Sequence, residues 1–503
     1  MDLNPESLRY ILGLKLRQNR LERGWGLKDV AARTKLSVSY LSEIEKGRKY
    51  PKPDKLIQLS KALDIAYDDL VSPRVDDHLG PVRELFSSPF LREFPFHLFG
   101  IEPEQVVGLV TEVPSKAGAL LRTFLEIGRS YDLQVEHFLF AALRSYQQLE
   151  RNYFTEVEEA AEQFLDARGW RQRLSLREDE LRRVLDREHG YVVDSETLGA
   201  HPDLADLRSV YVDGDPPRLL INGRLQPSQR AFALGRELGY AHLGRAGDER
   251  SQTSSALRVE SFDQVIHDFE AAYFSGAILL QRDLLVEELG RFFAQERWSA
   301  AAFAAFLSRH DTTPETFFYR LSQILPHAFG FDTSFFVRFH HRPDDDEFKL
   351  TKILNMTPLP FPLNAEPGEH YCRLWPCLRR LRELGRRGED PGLVVAAAER
   401  SCFVEEGPDE EYLVFTLARP LSLSEGSNAS VSVGFRLDDK ARETVGFLED
   451  PTIARRDVHF TCERCPLRDC RERAHPAVLL DAEARRVRRE KSLDELLARV
   501  RVG

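Results

Sequence analysis

The sequence predicts a multidomain protein, mainly α-helical with an α+β part, and three observations carry that reading. Helix-spaced leucines fill residues 8 to 70, a strand-like segment leads into a long helix near the middle, and three cysteines crowd a short stretch near the C-terminal end. With 503 residues, 42% of them hydrophobic, the chain can bury several cores, about three or four at roughly 150 residues each. Composition divides it into a five-helix head (1–71), a helical linker or dimerisation region (82–165), an α+β domain (166–328), a cysteine-bearing α+β domain (329–478) and a charged helical tail (479–503). Ser72 to Pro81 is a polar, proline-bounded linker.

The head comes first. Leu8, Leu12 and Leu16 recur four apart along one helix, and Val30, then Val38, Leu41 and Ile44, then Leu56, Leu59 and Leu63 supply apolar faces to three more. Gly24 and Gly26 separate the first helix from the second. Ser37 is placed to cap the third, since its hydroxyl can accept from an orphan amide, and Gly47 closes that helix. The run from Leu36 to Pro51 resembles the recognition helix and exit turn of XRE-type repressors. That resemblance implies a helix-turn-helix whose Ser37, Ser39, Tyr40 and Glu43 face base edges in the major groove, while Arg17, Lys46, Arg48 and Lys49 contact phosphates. Many family members carry Gln where this chain has Leu27. Residues 1–70 hold 14 basic and 10 acidic side chains, although the whole chain has 70 Lys and Arg against 81 Asp and Glu. So few phosphate contacts favour a homodimer, or a tetramer, on a two-part double-stranded operator. The alternative for such a head is a protein-interaction domain.

No apolar run approaches the roughly 18 residues a membrane span needs, and the N-terminus lacks a signal-peptide pattern, so a cytoplasmic location without membrane contact is expected. Six cysteines in that compartment argue for metal or redox chemistry over structural disulfides. The aromatic stripe Phe124, Tyr131, Phe138, Phe140, Tyr146 and Tyr153 reads as core or a dimer seam, with a ligand pocket as the second reading. Asp344–Glu347 and Gly385–Pro391 read as solvated loops.

In the middle region, the strand-like Arg218–Asn222 precedes Ser228, a candidate N-cap, and a helix through Ala233–Leu243. This segment, with Phe269–Leu280 and Thr313–Leu321, resembles the gluzincin-like peptidase fold of the ImmA/IrrE family. That resemblance implies a zincin-like α+β domain, with Glu270 at the third-ligand position. A zinc peptidase needs imidazoles at i and i+4 on one helical face, with an intervening Glu as base. Here those positions are Arg236 and Tyr240 around Glu237, and a guanidinium repels Zn²⁺. His242 is turned off that face. Glu237 is expected to pair with Arg236 or another cation, and the domain is expected not to be an enzyme.

Cys462, Cys465 and Cys470 form C-x2-C-x4-C, a spacing that lets one loop turn three thiolates onto a common centre. Cys372 is the best fourth ligand, with Cys377 and Cys402 as alternatives and His475 as a further one. Four thiolates suit zinc or an iron–sulfur cluster, and spacing does not decide between them. Arg464, Arg468, Arg471 and Arg473 are expected to lower the thiol pKa values. The competing reading is three free cysteines on a basic helix. The segment and the order of domains resemble the short-chain fatty acyl-CoA regulator family. The resemblance implies a transcriptional regulator with a 4Fe-4S cluster on Cys372, Cys462, Cys465 and Cys470, and an acyl-CoA-like effector. Asp344 to Pro367 departs from that family's pattern. Two other functions stay open beside this one: a redox or stress sensor without an organic effector, and a peptidase that cleaves a partner repressor.

Overall fold

The computed structural model describes residues 5–72, 95–100, 135–245, 250, 259, 261–361, 369–387, 393–404, 410–424 and 426–502. Phe124, Tyr131, most of the 72–81 linker, and parts of the 344–367 and 385–391 segments lie outside them, as does the side chain of Leu8. The chain divides into two compact units, residues 1–146 with 259–265, and 147–258 with 266–503.

The first unit carries the five-helix head: α1 (Pro5–Glu22), α2 (Leu27–Thr34), α3 (Val38–Glu45), α4 (Pro53–Leu63) and α5 (Tyr67–Val71). Leu12, Leu16, Val30, Leu41, Ile44, Leu56, Leu59 and Leu63 meet in one core with Leu36 and Leu70. The Ser37 hydroxyl accepts from the Tyr40 amide at 3.1 Å, as a cap should, and Gly47 ends the turn with φ +71°. Val38 departs from the expectation, since it is 40% exposed. It is the first residue of α3, where the side chain clears the edge of the core, and Leu36 takes the inward position instead.

Helix α6 (Val135–Leu149) leads into the second unit, which continues with α7 (Thr155–Asp166) and α8 (Glu178–His189). A small sheet follows, with order β1-β3-β2, from β1 (Val192–Asp194), β2 (Ser209–Val212) and β3 (Arg218–Ile221), with α9 (Thr197–Ala200) between its first two strands. Strand β3 runs parallel to β1 and antiparallel to β2. It delivers the chain to α10 (Pro227–His242), whose N-cap is Gln226 and not Ser228, closed by a backbone-to-Gln229 bond of 3.0 Å; Ser228 is the second residue of the helix. Proline at N1 sets that start. Helix α11 (Phe262–Leu279) crosses α10 closely. A Cβ on Gly235 would stand 2.5 Å from Ser275 Oγ, and one on Gly239 would stand 2.8 Å from the Ala271 carbonyl, so only glycine fits there.

Helices α12 (Arg282–Phe293), α13 (Ala300–Arg309) and α14 (Pro314–Ile324) lie on one face of a six-stranded sheet, ordered β5-β4-β8-β7-β6-β9. Its strands are β4 (Ser334–His341), β5 (Phe348–Asn355), β6 (Val395–Phe403), β7 (Glu411–Pro420), β8 (Asn428–Arg436) and β9 (Arg455–Val458). All neighbours are antiparallel except β6 and β9, which run parallel. Alternation sorts the faces. Leu413, Phe415 and Leu417 point into the core with Phe303, Phe317 and Phe318, while Tyr412 and Val414 point to the other core with Tyr371, Cys372, Trp375 and Phe460. The division expected at 328/329 therefore runs through one continuous core. Helices α15 (Pro376–Arg387) and α16 (Asp439–Thr444) complete this part, and α17 (Val478–Val502) ends the chain. No helix among the described residues is long and apolar enough to cross a membrane.

Candidate functional site

On the head, Ser37, Ser39, Lys46, Arg48 and Lys49 are exposed, and Arg17, Tyr40 and Glu43 are half-buried. All of them except Arg17 belong to α3 or its flanks. Glu43 Oε1 lies 3.8 Å from Arg48 Nη1, and the Lys49 ammonium stands 5.9 Å from the Tyr40 ring centre. Behind that surface, Arg20 on α1 grips Glu45 at the end of α3 through two bonds of 2.7 and 2.8 Å and donates to the Trp25 carbonyl at 2.9 Å. The planar fork fixes how α3 is presented. Leu27 at the start of α2 is packed against the core.

In the peptidase-like pocket, Arg236, Glu237 and Tyr240 are buried on α10. Glu237 pairs with Arg250, whose Nη2 donates to its Oε2 at 2.5 Å, and not with Arg236. The Arg250 guanidinium also donates to the Tyr191 hydroxyl at 3.1 Å and lies 3.4 Å from the Tyr211 ring centre and 4.3 Å from that of Tyr240. The Tyr240 hydroxyl donates to Asp268 Oδ1 at 2.9 Å, and Arg236 Nη1 stands 3.4 Å from the same oxygen. Burial, then the Asp268 carboxylate, push the Tyr240 phenol far above its ordinary value. Burial opposes the Arg236 charge, and Asp268 more than offsets it. Glu270 requires a correction. It pairs with Arg245 at 2.9 Å, and Asp268 is the carboxylate facing both replaced ligand positions. Where a metal and its water would need free lone pairs, a guanidinium, a phenol and a closed ion pair stand instead.

At the cysteine loop an isolated antiparallel bridge joins Tyr371 to Thr461. Cys372 N donates to the Phe460 carbonyl at 3.0 Å, Cys462 N to that of His370 at 2.8 Å, and Trp375 Nε1 to that of His459 at 2.7 Å. These bonds bring Cys372 beside the loop across some ninety residues of sequence. Cys372, Cys462 and Cys465 are buried and Cys470 is half-buried. Burial, reinforced by the neighbouring Cys462 and Cys465, pushes the Cys372 thiol up to about 12. Arg473 binds the loop from within, donating to the carbonyls of Cys462 (2.7 Å), Cys465 (3.1 Å) and Leu467 (2.6 Å). The Ala474 amide donates to Cys462 Sγ at 3.4 Å. Of the four arginines expected to depress the thiols, Arg473 acts to lower Cys465, against the larger effect of burial. Arg464 pairs with Glu369, Arg468 with Asp481, and Arg471 is exposed. Burial therefore dominates over charge. Cys377 is buried on α15, and Cys402 on β6 donates to Glu411 Oε1 at 3.6 Å.

A helix-turn-helix family model matches residues 16–70, and an IrrE N-terminal-like domain model matches residues 188–322. Over 74 residues the chain is 33% identical to an uncharacterized HTH-type transcriptional regulator, y4dJ, of Sinorhizobium fredii, covering 15% of this chain and 96% of that one. This chain belongs to the HTH-type transcriptional regulators. Over 57 residues it is 42% identical to the HTH-type transcriptional regulator DdrOP3 of Deinococcus deserti, covering 11% of this chain and 44% of that one, so it spans less than half the length of that relative. A solved Mycobacterium tuberculosis transcriptional regulator is similar at 20% identity with a TM-score of 0.45, over 67% of this chain and 94% of that one.

Sequence reasoning about this HTH-type regulator missed three groups. Arg250, 13 residues after Glu237, has no periodic relation to it; the signal was the need of a buried carboxylate for a cation. Asp268 lay two residues from the carboxylate chosen. The third is a buried pair, Glu158 on α7 and Arg320 on α14, with bonds of 2.5 and 2.9 Å and the Tyr273 hydroxyl donating to the same carboxylate at 2.7 Å. Burial alone would raise the Glu158 carboxyl, but Arg320 holds it below its ordinary value.

Proposed function

We propose that this regulator binds double-stranded operator DNA through α3, as a homodimer or tetramer, and that its C-terminal domain controls operator affinity through a 4Fe-4S cluster held by Cys372, Cys462, Cys465 and Cys470. The observation that carries the sensor reading is the bridge at Tyr371–Thr461, which sets Cys372 against the C-x2-C-x4-C loop. The donor set fits such a group, since three of the sulfurs are buried and a backbone amide already donates to one of them. A tetrathiolate zinc, with Zn–S bonds of about 2.3 Å, holds its sulfurs about 3.8 Å apart. The same four sulfurs would serve a structural zinc, and metal analysis of the purified protein distinguishes the two. A bound cluster supplies redox-sensitive negative charge and a cross-link between distant segments. Arg473 holds the loop carbonyls in place for it, and Trp375 holds the 459 segment.

The same reading assigns no peptidase chemistry to the Arg236, Glu237, Tyr240 and Asp268 pocket, and takes that domain as a scaffold between head and sensor. An acyl-CoA-like metabolite is the effector class that the family resemblance suggests. The test is anaerobic purification followed by operator binding at one fixed salt concentration. Brown protein with absorbance on the order of 400 nm, and different operator affinity of holo and oxidised apo forms, are the expected results. Equal affinities of two folded forms would reduce the cysteine centre to a structural staple.

A further inference from the structure

We infer that His370, Glu463 and His475 form a second metal site beside the cysteine loop, a two-histidine, one-carboxylate site for a divalent cation of the zinc type. One ligand atom from each lies within 4.8 Å of the other two. His370 Nδ1 is 2.8 Å from Glu463 Oε1, and His475 Nδ1 is 3.2 Å from the same oxygen. Ligands of a tetrahedral zinc, with bonds of about 2.0–2.1 Å, stand about 3.3 Å apart. The spacing is thus close to what a shared cation requires.

Two further observations point to a cation. Glu463 is 2% exposed, and its side chain meets only the His370 amide, at 2.9 Å, and the two imidazoles among the described residues; no Lys or Arg reaches it. A carboxylate that deeply buried calls for a compensating charge. His475 Nδ1 is buried and makes no hydrogen bond, although it faces that carboxylate oxygen. A ring nitrogen aimed at an anionic oxygen without hydrogen-bond geometry is placed to share a metal with it.

The fold builds the site from three segments. His370 precedes the bridge residue Tyr371, and its carbonyl accepts from Cys462 N. Glu463 follows Cys462, and its carbonyl accepts from the amides of Leu479 and Leu480 at the start of α17. His475 is held by Arg473, which donates to its carbonyl at 3.3 Å. The two imidazoles stack, with centroids 5.2 Å apart and planes 10° apart, and are 35% and 43% exposed, so a cation can enter and water can complete its fourth position. Imidazole and carboxylate donors suit zinc, whereas the neighbouring thiols suit a softer centre. The cation ties the entry to the cysteine loop to the base of α17.

The experiment uses the full-length protein, purified anaerobically and titrated with Zn²⁺ alone against a chromophoric chelator, with iron and zinc counted in parallel. Wild type is expected to take one zinc beyond whatever the cysteines hold. His475→Ala and His370→Ala are expected to weaken that zinc by at least about 100-fold while iron and visible absorbance persist, and Cys465→Ser is expected to do the reverse. Near-UV circular dichroism checks that each variant is folded. Unchanged zinc affinity in both histidine variants would overturn the proposal, as would joint loss of zinc and iron in folded His475→Ala, which would make His475 a ligand of the cysteine centre. If the protein holds no iron at all, the cluster reading fails, and the zinc titration still tests this site.

Discussion

In the peptidase-like pocket, Glu237 is neutralised by Arg250, and Asp268 is engaged by Tyr240 and Arg236, so every carboxylate already has a protein partner. In the cysteine region, three sulfurs are buried beside a loop whose carbonyls Arg473 holds, and the buried Glu463 carboxylate faces two imidazoles with no Lys or Arg partner among the described residues. Both places turn several polar groups onto one point. One is closed from within by guanidinium groups, and for the other we propose completion by a bound cluster and a cation. The difference teaches that metal chemistry is read from what neutralises a polar cluster, and in the first pocket guanidinium groups already do so. Its cost is visible too: Arg236 Nε, Glu237 Oε1 and Arg250 Nε are buried without hydrogen bonds.

The largest effects are expected where the region depends on an added group. Cys462→Ser, Cys465→Ser, Cys470→Ser and Cys372→Ser should each abolish the visible absorbance and the bound iron and loosen the C-terminal domain, because the centre ties Cys372 to a loop ninety residues away. Cys402→Ser should retain both, since that thiol is engaged by Glu411 on β7. Iron analysis with limited proteolysis checks this; retention of iron in the Cys372 variant would move the fourth ligand elsewhere.

The closed pocket should fail differently. Arg250→Met leaves Glu237 buried without a cation, a loss of about 3–5 kcal/mol, measured as a lower midpoint in urea. Adding Glu237→Gln should recover much of it, because an apolar or neutral pair of similar size tolerates burial. Restoring Arg236→His and Tyr240→His should give no zinc binding while Arg250 occupies Glu237, and Glu270→Gln should change no zinc content. Zinc that vanishes with Glu270 would break the contrast between the two regions.

Much of this was legible beforehand. The Ser37 cap and the end at Gly47 follow from spacing and local chemistry, which are properties of short segments. Arg250, Asp268 and Glu158 were not, because a buried charge finds its partner through tertiary contact that no period encodes. The shared core across residue 328 was hidden for the same reason: Phe303, Phe317, Phe415 and Phe435 lie far apart in sequence. Val38 was misread because the 3.6 period continues to the helix end, whereas the core does not.

Acid should separate the regions further. Burial works against the Glu315 charge, but Arg419, 2.8 Å away, holds its carboxyl down at about 2. A depressed carboxylate contributes stability above its unfolded value that is lost as pH falls. The Glu315 contribution should therefore be intact above about pH 4.5 and disappear toward pH 2, a loss of roughly 3 kcal/mol at most. Glu158 with Arg320 shifts in the same direction. Glu315→Gln should flatten the acid limb of a urea-midpoint profile, and an unaltered limb would remove this pair as its cause.

The smallest effect concerns the head, whose α3 surface carries exposed polar and basic side chains. Ser39→Ala and Tyr40→Ala should relax operator choice by about 1–3 kcal/mol per base pair read, whereas Lys46→Ala and Arg48→Ala should weaken all duplexes alike and reduce the salt slope. Val38 adds a finer test. It is 40% exposed at the first position of α3, beside the Ser37 cap, so its methyls are presented on the surface that carries Ser39. A valine exposed there lies outside the cluster that forms the core of the head, and its chemistry suits a thymine methyl in the major groove. Val38→Ser should leave the thermal midpoint of the protein unchanged and lower affinity by about 1 kcal/mol only on operators with thymine at the contacted step. Competition binding with thymine replaced by uracil, which removes that one methyl, should reproduce the loss in wild type and add nothing in the variant. A fall in stability instead would return Val38 to the core.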